Sequence, residues 1–259
     1  MPADFDTACT LAESDRIRGL DISMFDTEDA VNVILQRSEV LADRPRPGRI
    51  IRAWSDGDTR PIRAIAEAEG ETLIRRAIAF IFLEFDTLRP TLAEIAPARV
   101  ADIGCGYAIF GLPLALDVGC HLTLIDLEQS DARHFGFQQR AAAYSNLARA
   151  AAFLTANGVP DAQIDTLNPD TRDVMTIPPV DLAVSFLSCG FHYPWQTYAA
   201  FLGQRITPGG AAILDIRARK AETARRELAA IGTVTPLHKA AGGGAERLLI
   251  RTPGLRQPP

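Results

Sequence analysis

The residues best suited to chemistry are an aspartate and two glycines, Asp102, Gly104 and Gly106, in the run VADIGCGYAIFGLPLA over 100–115. An apolar stretch ends in glycines, after which a new helix is expected. Glycine accepts positive φ and lets backbone approach a ligand closely, so a strand turning into a helix through Gly104, Cys105 and Gly106 makes a cradle for a nucleotide-like molecule. A second carboxylate, Asp126, closes the next apolar run, HLTLID, 24 positions after Asp102. One strand-helix-strand unit onward, a carboxylate can accept both hydroxyls of a ribose. The pairing matters, because a lone GxG often marks no more than a tight turn.

A dinucleotide fingerprint would need a third glycine where Ile109 stands, so NAD or FAD fits poorly. The segment DIGCG, residues 102–106, instead resembles the first motif of the class I S-adenosylmethionine-dependent methyltransferases, with Ala108 where that family commonly has a further glycine. The resemblance spans roughly residues 97–252 and implies S-adenosyl-L-methionine as cofactor, with S-adenosyl-L-homocysteine as product. It assigns Asp102, Gly104, Cys105 and Gly106 to the cofactor, Asp126 to its ribose and Leu127 to the adenine. Asn168 after the third strand, with Asp170 as a second choice, and Ser185 and Phe186 at the end of the fourth strand are expected there too.

In that family the loop after the fourth strand faces the transferred methyl. Here it reads SCGFHYPW, 188–195, and places His192 and Tyr193 beside the acceptor. It lacks the Asn-Pro-Pro-aromatic signature of the branches that methylate nucleic acids and glutamine, so a hydroxyl oxygen is the expected acceptor atom. Histidine titrates near neutral pH and can remove a hydroxyl proton, which makes His192 the candidate base. The plainer reading is a structural histidine in an aromatic loop. The same loop, with the segment after Asp126, resembles bacterial sugar O-methyltransferase-like proteins.

Of the other histidines, His134 is the reserve candidate, in a segment (129–140) read either as a lid or as a loop leading into a helix. His121 begins its strand, at the wrong edge, and His238 lies near the end of a late strand. Arginines 44, 46, 49, 52, 60, 63, 75 and 76 either meet an anionic group on the acceptor or form a solvated face.

The elements that must hold these residues change rhythm at Pro97. Residues 1–24 show no sustained apolar period and are expected to form an irregular surface arm. Asp26 caps a helix of about fifteen residues, RPRPGR (44–49) is a connection, and a second helix starts near Asp58 to Pro61. The run 71–85 is apolar on most faces and must be buried. After Pro97, strands and helices alternate, and the last two strands are joined by the glycine-rich AGGGAE turn. The expected fold class is α/β: a doubly wound, seven-stranded, mostly parallel sheet with a last-strand hairpin, preceded by an N-terminal helical extension. Residues 1–96 would form the cap and 97–259 the cofactor-binding domain.

Composition narrows the partners. The 259 residues are 47% hydrophobic, enough for one α/β domain with an appendage. A net charge of −5 argues against an extended nucleic-acid surface and leaves a small-molecule acceptor as the expected partner, with room for a homodimer. No apolar run approaches the roughly 18 to 20 residues that span a membrane, and the acidic start is unlike a signal peptide, so a cytoplasmic location is expected. Four cysteines without CxxC spacing suggest reduced thiols and no metal. Together these point to a methyltransferase acting on a small hydroxylated molecule, a sugar or secondary metabolite among them. The alternative is a non-catalytic cofactor-binding or scaffold protein.

Overall fold

A computed structural model of the chain describes residues 4–127, 146–239 and 244–254. The N-terminal segment is helical, which overturns the irregular arm expected there. Helix α1 (Phe5–Ala12) is capped by Asp4, whose carboxylate accepts the Thr7 N–H at 2.8 Å, and α2 (Asp15–Arg18) follows. Ala8, Ala12 and Ile17 are buried. Phe5, Ala8, Cys9 and Ala12 do recur at helical spacing, but small side chains make a faint apolar stripe.

Helix α3 (Thr27–Gln36) starts as expected. Asp26 accepts the N–H groups of Glu28 and Asp29, and Asp29 accepts the Asp26 N–H in return, a reciprocal cap. It runs ten residues rather than fifteen, because Arg37 leaves helical geometry (φ −133°, ψ 65°). Helix α4 (Pro47–Ser55) begins inside RPRPGR, with Pro47 in its first turn, so Arg49 is helical and not on a connection. Helix α5 (Arg60–Ile95) kinks at Glu69 and buries Leu73, Ile74, Ala77, Ile78, Phe82 and Phe85, as the apolar run 71–85 requires.

The sheet is built from β1 (Arg99–Ile103), β2 (His121–Ile125), β3 (Ile164–Leu167), β4 (Val180–Ser185), β5 (Ile206–Arg217), β6 (Thr233–Lys239) and β7 (Ala245–Arg251). Helices α6 (Gly111–Pro113), α7 (Leu147–Ala156), α8 (Ala199–Gln204) and α9 (Ala221–Leu228) accompany it. The order is β3-β2-β1-β4-β5-β7-β6; β7 runs antiparallel to both neighbours and the other pairings are parallel. The chain leaves β1 toward β2 and β3 and returns to β4 on the other side. The crevice at the carboxyl ends of β1 and β4 is therefore the switch point where such sheets bind ligands.

Alternation along the strands fills both faces. Val100, Leu182 and Val184 join the core with Ile34, Ile78, Phe85 and Phe153, whereas Ala101, Ile103 and Ala183 pack with Phe201 and Leu228. The N-terminal helices thus share one continuous core with the sheet. Among the described residues, no helix is long and apolar enough to cross a membrane.

Candidate functional site

Leaving β1, the chain turns through three left-handed residues, Gly104 (φ 71°), Gly106 (φ 58°) and Ala108 (φ 55°). The N–H groups of Gly104 and Cys105 donate to the Ile125 carbonyl at 2.7 and 3.3 Å, and Gly106 N–H donates to Asp126 Oδ2 at 2.7 Å. The glycine turn is thereby fastened to the end of β2. Ala108 adopts the conformation glycine would take without strain, at a cost of roughly 1 kcal/mol. Tyr107 secures the turn from the other side: its hydroxyl accepts from Asn32 Nδ2 (3.0 Å) and donates to Asp29 Oδ1 (2.7 Å), both on α3.

Both glycines are points of close approach. A Cβ on Gly104 would stand 1.9 Å from Ser188 Oγ, and one on Gly106 3.0 Å from Gln36 Oε1. Gly104→Ala is expected to destabilise the protein by roughly 1 to 3 kcal/mol, combining positive φ with displacement of Ser188. Thermal denaturation checks this; an unchanged melting temperature would show that the loop yields freely.

A cleft of about 920 Å³, counting space open to solvent, lies over this turn. Its lining includes Asp102, Cys105 and Asp126; Gln36, Arg37 and Ile81 come from the helical segment, and Phe186, Ser188, His192 and Tyr193 from the loop after β4. Asp102 is 3% exposed, and its Oδ2 has no hydrogen-bond partner. Burial pushes its carboxyl up to about 7, and the charge of Asp126 adds to the effect. A buried carboxylate in this state is completed by a cation or a donor from a ligand.

The loop after β4 is held at several points. Ser185 Oγ donates to the Ile103 carbonyl (2.7 Å) and accepts the Cys189 N–H (2.9 Å), joining the loop to β1. Leu187 is left-handed (φ 50°). His192 donates its backbone N–H to the Ser188 carbonyl at 2.8 Å, and its ring stands edge-on to Phe191, with centroids 5.0 Å apart. Burial raises the Tyr193 hydroxyl well above its ordinary range, so it is neutral at neutral pH.

Of the residues expected at the site, the structure gathers Asp102, Gly104, Cys105, Gly106, Asp126, Phe186, His192 and Tyr193 around one cleft. Leu127, Asn168 and Ser185 are not on its wall. The Asn168 side chain accepts the Asp170 N–H (2.9 Å) and shapes the turn after β3, while Ser185 is fully buried in the contacts above. His121 opens β2 at the opposite edge, as expected. His134, the segment 129–140 and the His238 side chain lie outside the described residues. Arg44, Arg60, Arg63, Arg75 and Arg76 pair with Glu69, Asp58, Glu28, Glu71 and Asp43, and the side chains of Arg44, Arg75 and Arg76 are mostly covered. Arg46, Arg49 and Arg52 are exposed. Among the described residues, the arginine that lines the cleft is Arg37, which no motif marks. No motif marks Gln36 either, and Ser188 belongs to the loop SCGFHYPW.

A dinucleotide-binding sheet runs 3-2-1-4-5-6, whereas here β7 is inserted antiparallel between β5 and β6. The chain has the class I methyltransferase fold. No family model matches it, and no curated protein does. Among solved structures, it is similar to the O-methyltransferase TomG from Streptomyces achromogenes, solved with SAM, at 16% identity and a TM-score of 0.47, covering 66% of this chain and 80% of that one. An O-methyltransferase from Bacillus cereus, solved with SAH, is 11% identical over 66% of this chain and 80% of its own, with a TM-score of 0.46. Human N-acetylserotonin methyltransferase, also solved with SAM, is 13% identical over 73% of this chain and 58% of its own, with a TM-score of 0.45. At similarities of this size the class I assignment rests on the strand order.

Proposed function

We propose that this protein transfers a methyl group from S-adenosylmethionine to a hydroxyl of a small molecule. The observation that carries the reading is Asp102, a buried carboxylate with an unpartnered oxygen on the wall of the cleft, beside a glycine turn fastened to Asp126. The donor set fits the cofactor: Asp102 takes its cationic amino-acid end, Asp126 takes its ribose hydroxyls, and Gly104 and Gly106 allow the close approach. When bound, S-adenosylmethionine supplies an electrophilic methyl group. The protein's own part is to orient the acceptor hydroxyl and take its proton, which His192 does while Tyr193 donates a hydrogen bond.

The acceptor side of the cleft is largely apolar, with Leu35, Ile81, Phe110 and Leu187 beside Gln36 and Arg37. A hydroxylated molecule with an apolar face fits it. The acidic chain favours a small-molecule acceptor over nucleic acid, and the free cysteines suit the cytoplasm.

Incubation with methyl-labelled S-adenosylmethionine and a panel of phenols, aliphatic alcohols and sugars should give acceptor-dependent transfer of label. Cofactor binding without transfer to any member would favour the scaffold alternative. Asp126→Ala is expected to weaken S-adenosylhomocysteine binding by about 1 to 3 kcal/mol with the fold intact. Unchanged affinity would remove Asp126 from the ribose.

A further inference from the structure

Four charged side chains lie buried in a row beside the cleft. Arg37, just past α3, gives Nη1 to Glu84 Oε1 of α5 at 2.6 Å and to Glu39 at 3.3 Å. Glu84 Oε2 accepts from Arg247 Nη2 of β7 at 3.1 Å. Arg247 then makes a two-pronged contact with Asp215 of β5, Nε to Oδ1 at 2.7 Å and Nη2 to Oδ2 at 2.8 Å. None of the four side chains is more than 8% exposed. Burial pushes the Glu84 carboxyl up, and the guanidinium groups of Arg37 and Arg247 more than reverse this, holding it below its ordinary range.

Buried ion pairs are a weak source of stability, because desolvation offsets the attraction and apolar replacements often do as well. The ends of the row suggest another use. At one end, Arg37 stands on the helical wall of the cleft. At the other, Asp215 Oδ2 accepts the N–H of left-handed Leu187 at 3.2 Å, and the Arg247 guanidinium lies 4.3 Å over the ring of Phe186. The row therefore grips the first two residues of the loop that carries Ser188, His192 and Tyr193. Arg217, also on β5, holds the same loop further on, donating Nε to the Phe191 carbonyl at 2.9 Å.

We propose that Arg247 is a positioning residue for His192. Through Asp215 and Phe186 it sets the start of the loop, and through Glu84 and Arg37 it ties that setting to the helical segment that lines the cleft. It does not line the cleft or touch the glycine turn. The inference rests on the methyltransferase reading only in giving His192 a role; the mechanical link stands on the contacts themselves.

The test uses the full chain with isotope-labelled histidine, observing imidazole resonances by NMR, with the His192 signals identified from His192→Gln. In Arg247→Lys, which keeps the charge and loses the planar fork, the His192 resonances should shift. Those of His121, at the far edge of the sheet, should not, and S-adenosylhomocysteine affinity should keep its wild-type value. Arg251→Lys, at an exposed ion pair with Glu94 on the same strand, is the control and should move neither histidine. If Arg247→Lys does not fold, Asp215→Asn, of the same size and still able to accept one hydrogen bond, is read in the same way. Unmoved His192 resonances in a folded variant would overturn the proposal, as would failure of both variants to fold, which would make the row a requirement of the fold itself. Failure of the wild-type protein to bind S-adenosylhomocysteine would count against the methyltransferase reading alone, and the imidazole shift would still decide this inference.

Discussion

Asp102→Asn should make the ligand-free protein more stable at pH 8 while weakening S-adenosylmethionine binding by roughly tenfold or more. Both effects have one cause. The folded state holds the Asp102 carboxyl at about 7, above the ordinary 3.8, chiefly through burial and then through the charge of Asp126. Between those values the folded protein binds more protons than the unfolded chain, so stability falls as pH rises through the window. The penalty is absent below about pH 4 and fully present above about pH 7, with an upper size on the order of 4 kcal/mol. Asparagine removes the charge and hence the penalty. It also removes the anion that a cationic ligand would meet, so the gain in stability and the loss of binding should appear together. Thermal melts from pH 5 to 8 and calorimetry on the same variant check this. A variant less stable than wild type at pH 8, or one that binds the cofactor normally, would contradict the role given to Asp102.

His192→Ala should lower turnover by about a hundredfold or more and leave cofactor affinity unchanged. The prediction depends on place: His192 lines the cleft, which Gln36 and Arg37 also line, on a loop fixed at Ser185, Leu187 and Phe191. Tyr193, kept neutral by burial, can orient a hydroxyl but not deprotonate it. Once an acceptor is known, steady-state kinetics with both substrates varied separates the two functions. Near-normal turnover would leave His192 as the edge-on partner of Phe191 and nothing more.

The glycine turn and the two carboxylates beside it were legible because their signals are local. A strand ending in Asp102 and two glycines, and the next ending in Asp126, require only that neighbouring strands lie side by side in parallel, and they do. The loop carrying His192 stood out for its composition. Ser185 ends β4, and a strand-end side chain faces one side or the other; this one turns to the Ile103 carbonyl. Gln36 and Arg37 could not be foreseen, since they reach the cleft only because α3 packs against the glycine turn through Tyr107. Arg247 is 163 positions from Glu84, a pairing set wholly by tertiary structure. The helices of residues 5–18 do not show in the sequence because α1 buries only alanines and α2, four residues long, buries a single isoleucine.

The most direct test is calorimetric titration of the purified protein with S-adenosylhomocysteine, with NADH run in parallel. The predicted result is saturable one-site binding of S-adenosylhomocysteine and none of NADH, as a class I fold with an unpartnered Asp102 and a glycine turn fastened to Asp126 requires. Binding of NADH, or of neither ligand, would contradict the account at its centre.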